Sequence, residues 1–180
     1  MCVAVDSHMM LAFQRDRVLE QHSIASECLN RILIDSYIAL DDSDQCLTEY
    51  DQTVSGIIGE EMRAWISQAL NDNKLRILPL TDYRETIRRC TQAGLPNNDK
   101  RWVKLCCHPC VTHFLTDDID FYDPGAKMGS QKQKSRAKNE RRGRMLNLIQ
   151  DEARVIIFCP DQLDDFFQSS VQAPSAPPAP

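Results

Sequence analysis

Five short apolar runs, separated by helical spacing or turn residues, constrain the fold of this 180-residue chain more than any other feature. CVAVDS (2–7), YIAL (37–40), KLRILPL (74–80), Thr112–Thr116 and ARVIIFC (153–159) are strand-length, and the turn residues Asp-Ser, DDSD (41–44) and Pro160 follow the first, second and fifth. Between them the period changes to that of a helix. Residues 9–35 read as two helical pieces, with Ile24, Cys28, Leu29 and Ile32 on one stripe. Asp44 is placed to cap a long helix to about residue 71, bent near Gly56 and Gly59. Thr81 or Asp82 caps a helix through Gln92 that Gly94-Leu95-Pro96 ends, and a short helix spans Asp99 to Cys107. A brief helix is expected over 161–167. Strands alternating with helices predict an α/β fold of three layers, α/β/α, around a central parallel sheet of about five strands.

In such sheets chemistry collects beyond the carboxyl ends of the strands. Asp6 follows the first strand, and Asp117 and Asp118 follow the fourth, in HFLTDDIDF (113–121). Glu49 lies in the first turns of the helix after strand two, and Asp99 opens the short helix before strand four. Carboxylates so gathered repel one another unless a cation sits among them. Hard oxygen ligands suit Mg²⁺ or Mn²⁺, and such ions activate water for phosphodiester hydrolysis. Solvated turns are the competing reading, since acids are abundant in this chain.

Order and local wording resemble a known family. AVDS at strand one, LTEY (47–50), LPNNDKRWVKLC (95–106) and FLTDDIDF (114–121) look like the PIN-domain nucleases, and VIIFCPDQLDDFF continues the likeness. The resemblance implies strand order 3-2-1-4-5 and metal-dependent hydrolysis of RNA, chiefly single-stranded or flexible, by an endoribonuclease. It places Asp6, Glu49, Asp99 and Asp118 as catalytic carboxylates and metal ligands, with Ser7, Thr116, Asp117 and Asp120 as their supports. It also permits a homodimer, and an inhibitory protein partner as in toxin–antitoxin pairs. The alternative is a catalytically weak or inactive PIN-like module that binds RNA or protein. His8 departs from the family pattern, which commonly has Asn there, and bears on metal preference.

The second departure is a long stretch between strands four and five, about 122–152. Between Lys127 and Arg144 in this stretch, Lys127, Lys132, Lys134, Arg136, Lys138, Arg141, Arg142 and Arg144 face one acid, Glu140. The remainder is therefore more acidic than the net charge of −5 suggests. The basic segment reads as a mobile loop entering a helix, with no apolar face before Met145, Leu146 and Ile149. Beside an acidic centre these cations are placed to hold phosphates; a solvated face, a localisation signal or a docking arm are the other readings. Aromatics are absent from the run, so base stacking is not expected.

Eight cysteines lie mostly within apolar segments, which favours reduced, packed thiols. CCHPC (106–110) with His113 lacks a second pair at zinc spacing, so core packing is expected there as well. The first residues carry no basic and long apolar signal, and no run approaches a membrane span, which makes a cytoplasmic or nuclear setting the default. Residues 1–168 read as one domain with the basic insertion, and 169–180 as a disordered Pro/Ala-rich tail.

Overall fold

The computed structural model describes residues 1–18, 24–54, 56–80 and 82–162. Five parallel strands form one sheet in the order β3-β2-β1-β4-β5: β1 Cys2–Val5, β2 Tyr37–Asp41, β3 Leu75–Leu78, β4 His113–Leu115 and β5 Ile156–Phe158. This is the expected α/β class and strand order. Central β1 aligns Val3 with Ile38 of β2 and with His113 of β4. All four residues of β1 are buried, as a strand covered on both faces requires.

Helices α1 (Ser7–Val18), α2 (Ile24–Asp35), α3 (Gln45–Thr53) and α4 (Gly56–Asn71) precede β3 or its neighbours, and α5 (Arg84–Gln92) and α6 (Lys100–Cys106) lead into β4. α1 packs on α2, α3 and α4, whereas α6 packs on α3, α5 and α8 (Arg144–Ala153). A column of rings links these layers. Trp102 of α6 lies 5.7 Å from Tyr50 of α3 and 6.2 Å from Phe114 of β4, and Phe114 meets Phe121 edge-on at 4.8 Å. All four are fully buried. Each such aromatic contributes about 2–3 kcal/mol through burial, so the column is a rigid floor.

Several local expectations are corrected. The helix expected from 44 to 71 is two helices, broken at Val54, whose φ of −120° and ψ of 144° are extended. Asp44 occupies the N-cap position of α3 with a left-handed φ of 56°, but its side chain makes no cap bond. Asp41 does that work from the end of β2. Its carboxylate accepts from the amides of Gln45 (2.8 Å) and Cys46 (2.7 Å) and from Ser43 Oγ (2.7 Å). Burial pushes the Asp41 pKa up, but these donors outweigh it and hold it below the ordinary value. Asp41→Ala is expected to cost about 2 kcal/mol at pH 7 in urea unfolding. A depressed carboxyl pKa stabilises above the unfolded value and is lost as pH falls through the folded one. The difference between wild type and variant should therefore shrink below about pH 4; a pH-independent difference would contradict this role.

Asp82 does not cap α5; it pairs with Arg84, and Tyr83 holds the N-cap position. Thr81 lies outside the described residues. The predicted stop is present: Gly94 has a left-handed φ of 103° and the Leu95 amide donates to Cys90 O.

The insertion is not a loop. A 3₁₀ turn at Pro124–Met128 leads to α7 (Gln131–Asn139) and then α8. Ser130 and Gln133 form a reciprocal capping box, which starts a helix without any apolar stripe. α7 is held at its far end, where Gln162 Nε2 donates to the carbonyls of Lys138 and Asn139. Residues 160–162 form a 3₁₀ turn; the rest of the helix expected over 161–167, and the tail 169–180, lie outside the described residues. Among the described residues no helix is long and apolar enough to cross a membrane.

Candidate metal centre

The carboxyl ends of adjacent β1 and β4 build the site. The Asp6 amide continues the ladder by donating to Leu115 O at 2.9 Å, which places its side chain at the sheet's end, 1% exposed. Thr116, one residue past β4, donates its hydroxyl to Asp6 Oδ2 at 2.6 Å and accepts from the Asp118 amide at 3.0 Å. Asp118 Oδ1 accepts in turn from the Asp120 amide at 3.0 Å and caps the 3₁₀ turn Ile119–Phe121. Tyr122 locks this corner by donating to Thr116 O at 3.1 Å. The order Thr-x-Asp-x-Asp thus follows from a chain of turn bonds, each requiring a short polar side chain at that position.

Two sets of three donor side chains converge, each within 4.8 Å: Asp6, His8 and Asp118, and Asp99, Asp118 and Asp120. Asp118 belongs to both. His8 Nδ1 lies 3.5 Å from Asp6 Oδ2 and 3.3 Å from Asp118 Oδ2. Asp99 and Asp120 are each 2% exposed, and Asp99 Oδ2 and Asp120 Oδ1 have no hydrogen-bond partner among the described residues. Buried acceptors left so are uncommon and costly. Hard oxygen donors with free lone pairs are what a divalent cation needs.

The remaining predicted residues are placed around this centre. Glu49 lies outside both sets. Its oxygens are taken by Ser7 Oγ (2.6 Å), Trp102 Nε1 (3.0 Å) and Arg101 Nε (3.1 Å), so it braces the pocket wall. Ser7 also reaches Asp6 Oδ1 at 3.4 Å. Asp117 turns to Lys138, 2.6 Å away, whose ammonium also donates to the Asp117 carbonyl. Asp120, expected only as a support, belongs to the donor set. His8, read from sequence as a neighbour of the pocket, contributes to it; a helix start one residue after Asp6 was the signal.

Charge balance explains the pKa pattern. Burial pushes Asp99 up to about 7, reinforced by Asp118, Asp6, Asp120 and Glu49. Burial also raises Asp118, against the opposing pull of His8. The hydrogen bond to Asp6 lifts His8 to about 9 despite its burial. Lys127 lies 2.5 Å from Asp120 Oδ2, and that bond raises its pKa. Acid and base therefore hold each other in this pocket.

Of the basic run, Lys127 and Lys138 thus touch the acidic corner. Arg136 and Arg142 both pair with Glu140, at 2.7 and 3.5 Å. Lys132 and Arg144 are exposed, while Lys134 and Arg141 are half-buried. Six of the eight cysteines are buried, as the packing expectation has it, and Cys110 departs from it. Cys106 is fully buried and Cys107 half-buried, its thiol pushed by burial up to about 11, while Cys110 is exposed. Among the described residues only the two sets above gather three potential ligands. No protein-family profile, curated protein or solved structure matches the chain.

Proposed function

We propose that this chain is a PIN-like nuclease that hydrolyses phosphodiester bonds of single-stranded RNA with Mg²⁺ or Mn²⁺. The observation that carries the reading is the pair of buried, unpartnered oxygens, Asp99 Oδ2 and Asp120 Oδ1, facing further carboxylates at the switch point of a parallel sheet. The bound ion would supply Lewis acidity and a water nucleophile at neutral pH. Asp6, Asp118, Asp99 and Asp120 would hold it. Thr116 and Ser7 orient Asp6 through the bonds given above, and the Asp120 amide orients Asp118. Glu49 keeps α3, α6 and Ser7 in register with the pocket. Lys132, Lys134, Arg136, Arg141, Arg142 and Arg144 would take backbone phosphates along the insertion, a contact that weakens with salt and carries no sequence information.

One observation favours the rival reading of a binding module. His8 and Lys127 already neutralise part of the acidic pocket, so the chain tolerates it without an ion. Labelled single-stranded RNA and DNA of one sequence, incubated with Mn²⁺, Mg²⁺ or EDTA, separate the two. Cleavage of RNA that requires the ion and falls to background in Asp6→Asn/Asp118→Asn is the expected result. RNA binding without cleavage under every ion condition would favour the binding module.

A further inference from the structure

His8 Nδ1 lies almost midway between two carboxylates, at 3.3 Å from Asp118 Oδ2 and 3.5 Å from Asp6 Oδ2. Charge-assisted N–H···O bonds close to about 2.7–2.9 Å, so both contacts are longer than the closest ion pairs. The spacing suits donors that share an atom lying between them. An ion bound at about 2.1 Å separates neighbouring donors by about 3.0 Å in an octahedron and about 3.4 Å in a tetrahedron. The unpartnered Asp99 Oδ2, in the set that shares Asp118, independently marks this pocket as short of a cation. His8 is set by α1, whose first turn begins one residue after Asp6, and its side chain is 41% exposed. No backbone change is needed for it to reach an ion.

We propose that His8 Nδ1 is a ligand of the ion held by Asp6 and Asp118, and that this nitrogen makes the site select a first-row transition dication over Mg²⁺. The proposal rests on the metal-dependent reading above and adds which ion the site takes. Mg²⁺ is a hard ion that prefers oxygen and gives up water reluctantly, whereas imidazole is a favourable ligand for transition dications. A pocket of carboxylates alone accepts either kind. Exchanging one oxygen for a nitrogen biases the choice without altering the rest of the cage.

The test uses the full chain stripped of metal, with Mn²⁺ affinity measured by electron paramagnetic resonance and Mg²⁺ affinity by displacement of Mn²⁺. His8→Asn and His8→Ala are compared with wild type, and thermal unfolding verifies that each folds. The expected result is a preference of wild type for Mn²⁺ that drops at least about tenfold in both variants, through weaker Mn²⁺ binding. An unchanged ratio, or tighter Mn²⁺ binding in the variants, makes His8 a counter-charge only and overturns the proposal while leaving the metal centre intact. Absence of Mn²⁺ binding by wild type overturns the metal-dependent reading, and the proposal with it.

Discussion

Asp99→Asn is expected to raise the thermal midpoint in EDTA while removing most of the increase that Mn²⁺ gives the wild-type protein. Asp99 is 2% exposed, one of its oxygens has no partner among the described residues, and Asp118, Asp6, Asp120 and Glu49 all act to keep it protonated. Its folded pKa of about 7 lies well above the unfolded value of 3.8. Over that window the folded state binds the extra proton, so stability falls as pH rises from about 4 to 7 and stays low above. A neutral amide removes the repulsion and can donate to neighbouring carboxylates. The gain at pH 8 is about 2 kcal/mol, or roughly 4–8 °C for a chain of this size. Wild type at a Mn²⁺ concentration about a hundred times Kd should gain about 2.7 kcal/mol by mass action. The variant has lost an anionic ligand and should gain far less. A wild type whose midpoint ignores Mn²⁺, or a variant no more stable than wild type in EDTA, would count against the site. Stability and ion binding are thus expected to oppose each other at one residue.

Gly143→Ala should destabilise the fold by at least about 3 kcal/mol. The φ of Gly143, 168°, is open to any residue, so the conformation is not the cause. The approach is. A Cβ there would stand 2.0 Å from Tyr122 O and 2.5 Å from Tyr122 C, and both are backbone atoms. That same carbonyl accepts from the Leu146 amide at 3.2 Å and seats the first turn of α8. Making room separates α8 from the Asp118–Tyr122 corner, so weaker Mn²⁺ binding should accompany the lost stability. Gly125→Ala is the control. Its nearest neighbour is Asp123 Oδ1 at 3.2 Å, a side chain able to move, and the expected change is under about 1 kcal/mol. Urea unfolding of the two variants beside wild type decides the matter; equal midpoints would refute the contact argument.

Periodicity made the sheet legible, because a strand buried on both faces leaves a compact apolar run such as Val3-Ala4-Val5 or Phe114-Leu115. Placement of Asp6 and Asp118 followed from the rule of carboxyl ends, and the two do follow adjacent strands. What escaped was set by side-chain direction. Asp117, expected to support the site, instead turns out to Lys138, while its neighbour Asp118 enters the pocket as expected, held by the Thr116 turn bond. Glu49 is bound to Ser7 and Trp102, partners 42 and 53 residues away that no local pattern announces. α7 was hidden because its stability comes from a capping box and tethers rather than an apolar stripe, although Ser130-x-x-Gln133 was there to be read. Asp41 displaced Asp44 as the cap because a sharp left-handed turn at Asp44 carries its own side chain out of reach.

The place of β1 in the middle of the sheet has a consequence for synthesis. Its neighbours come from residues 37–41 and 113–115, so the strand that leads into Asp6 is made before both and gains its second flank from a far later segment. Domains emerge from the ribosome N-terminus first, and long-range parallel pairing forms late. Until residue 120 has left the exit tunnel, Asp6 and His8 have neither Asp118 nor Thr116 beside them. The carboxylate cluster therefore closes late, because Thr116 reaches Asp6 across 110 residues of chain.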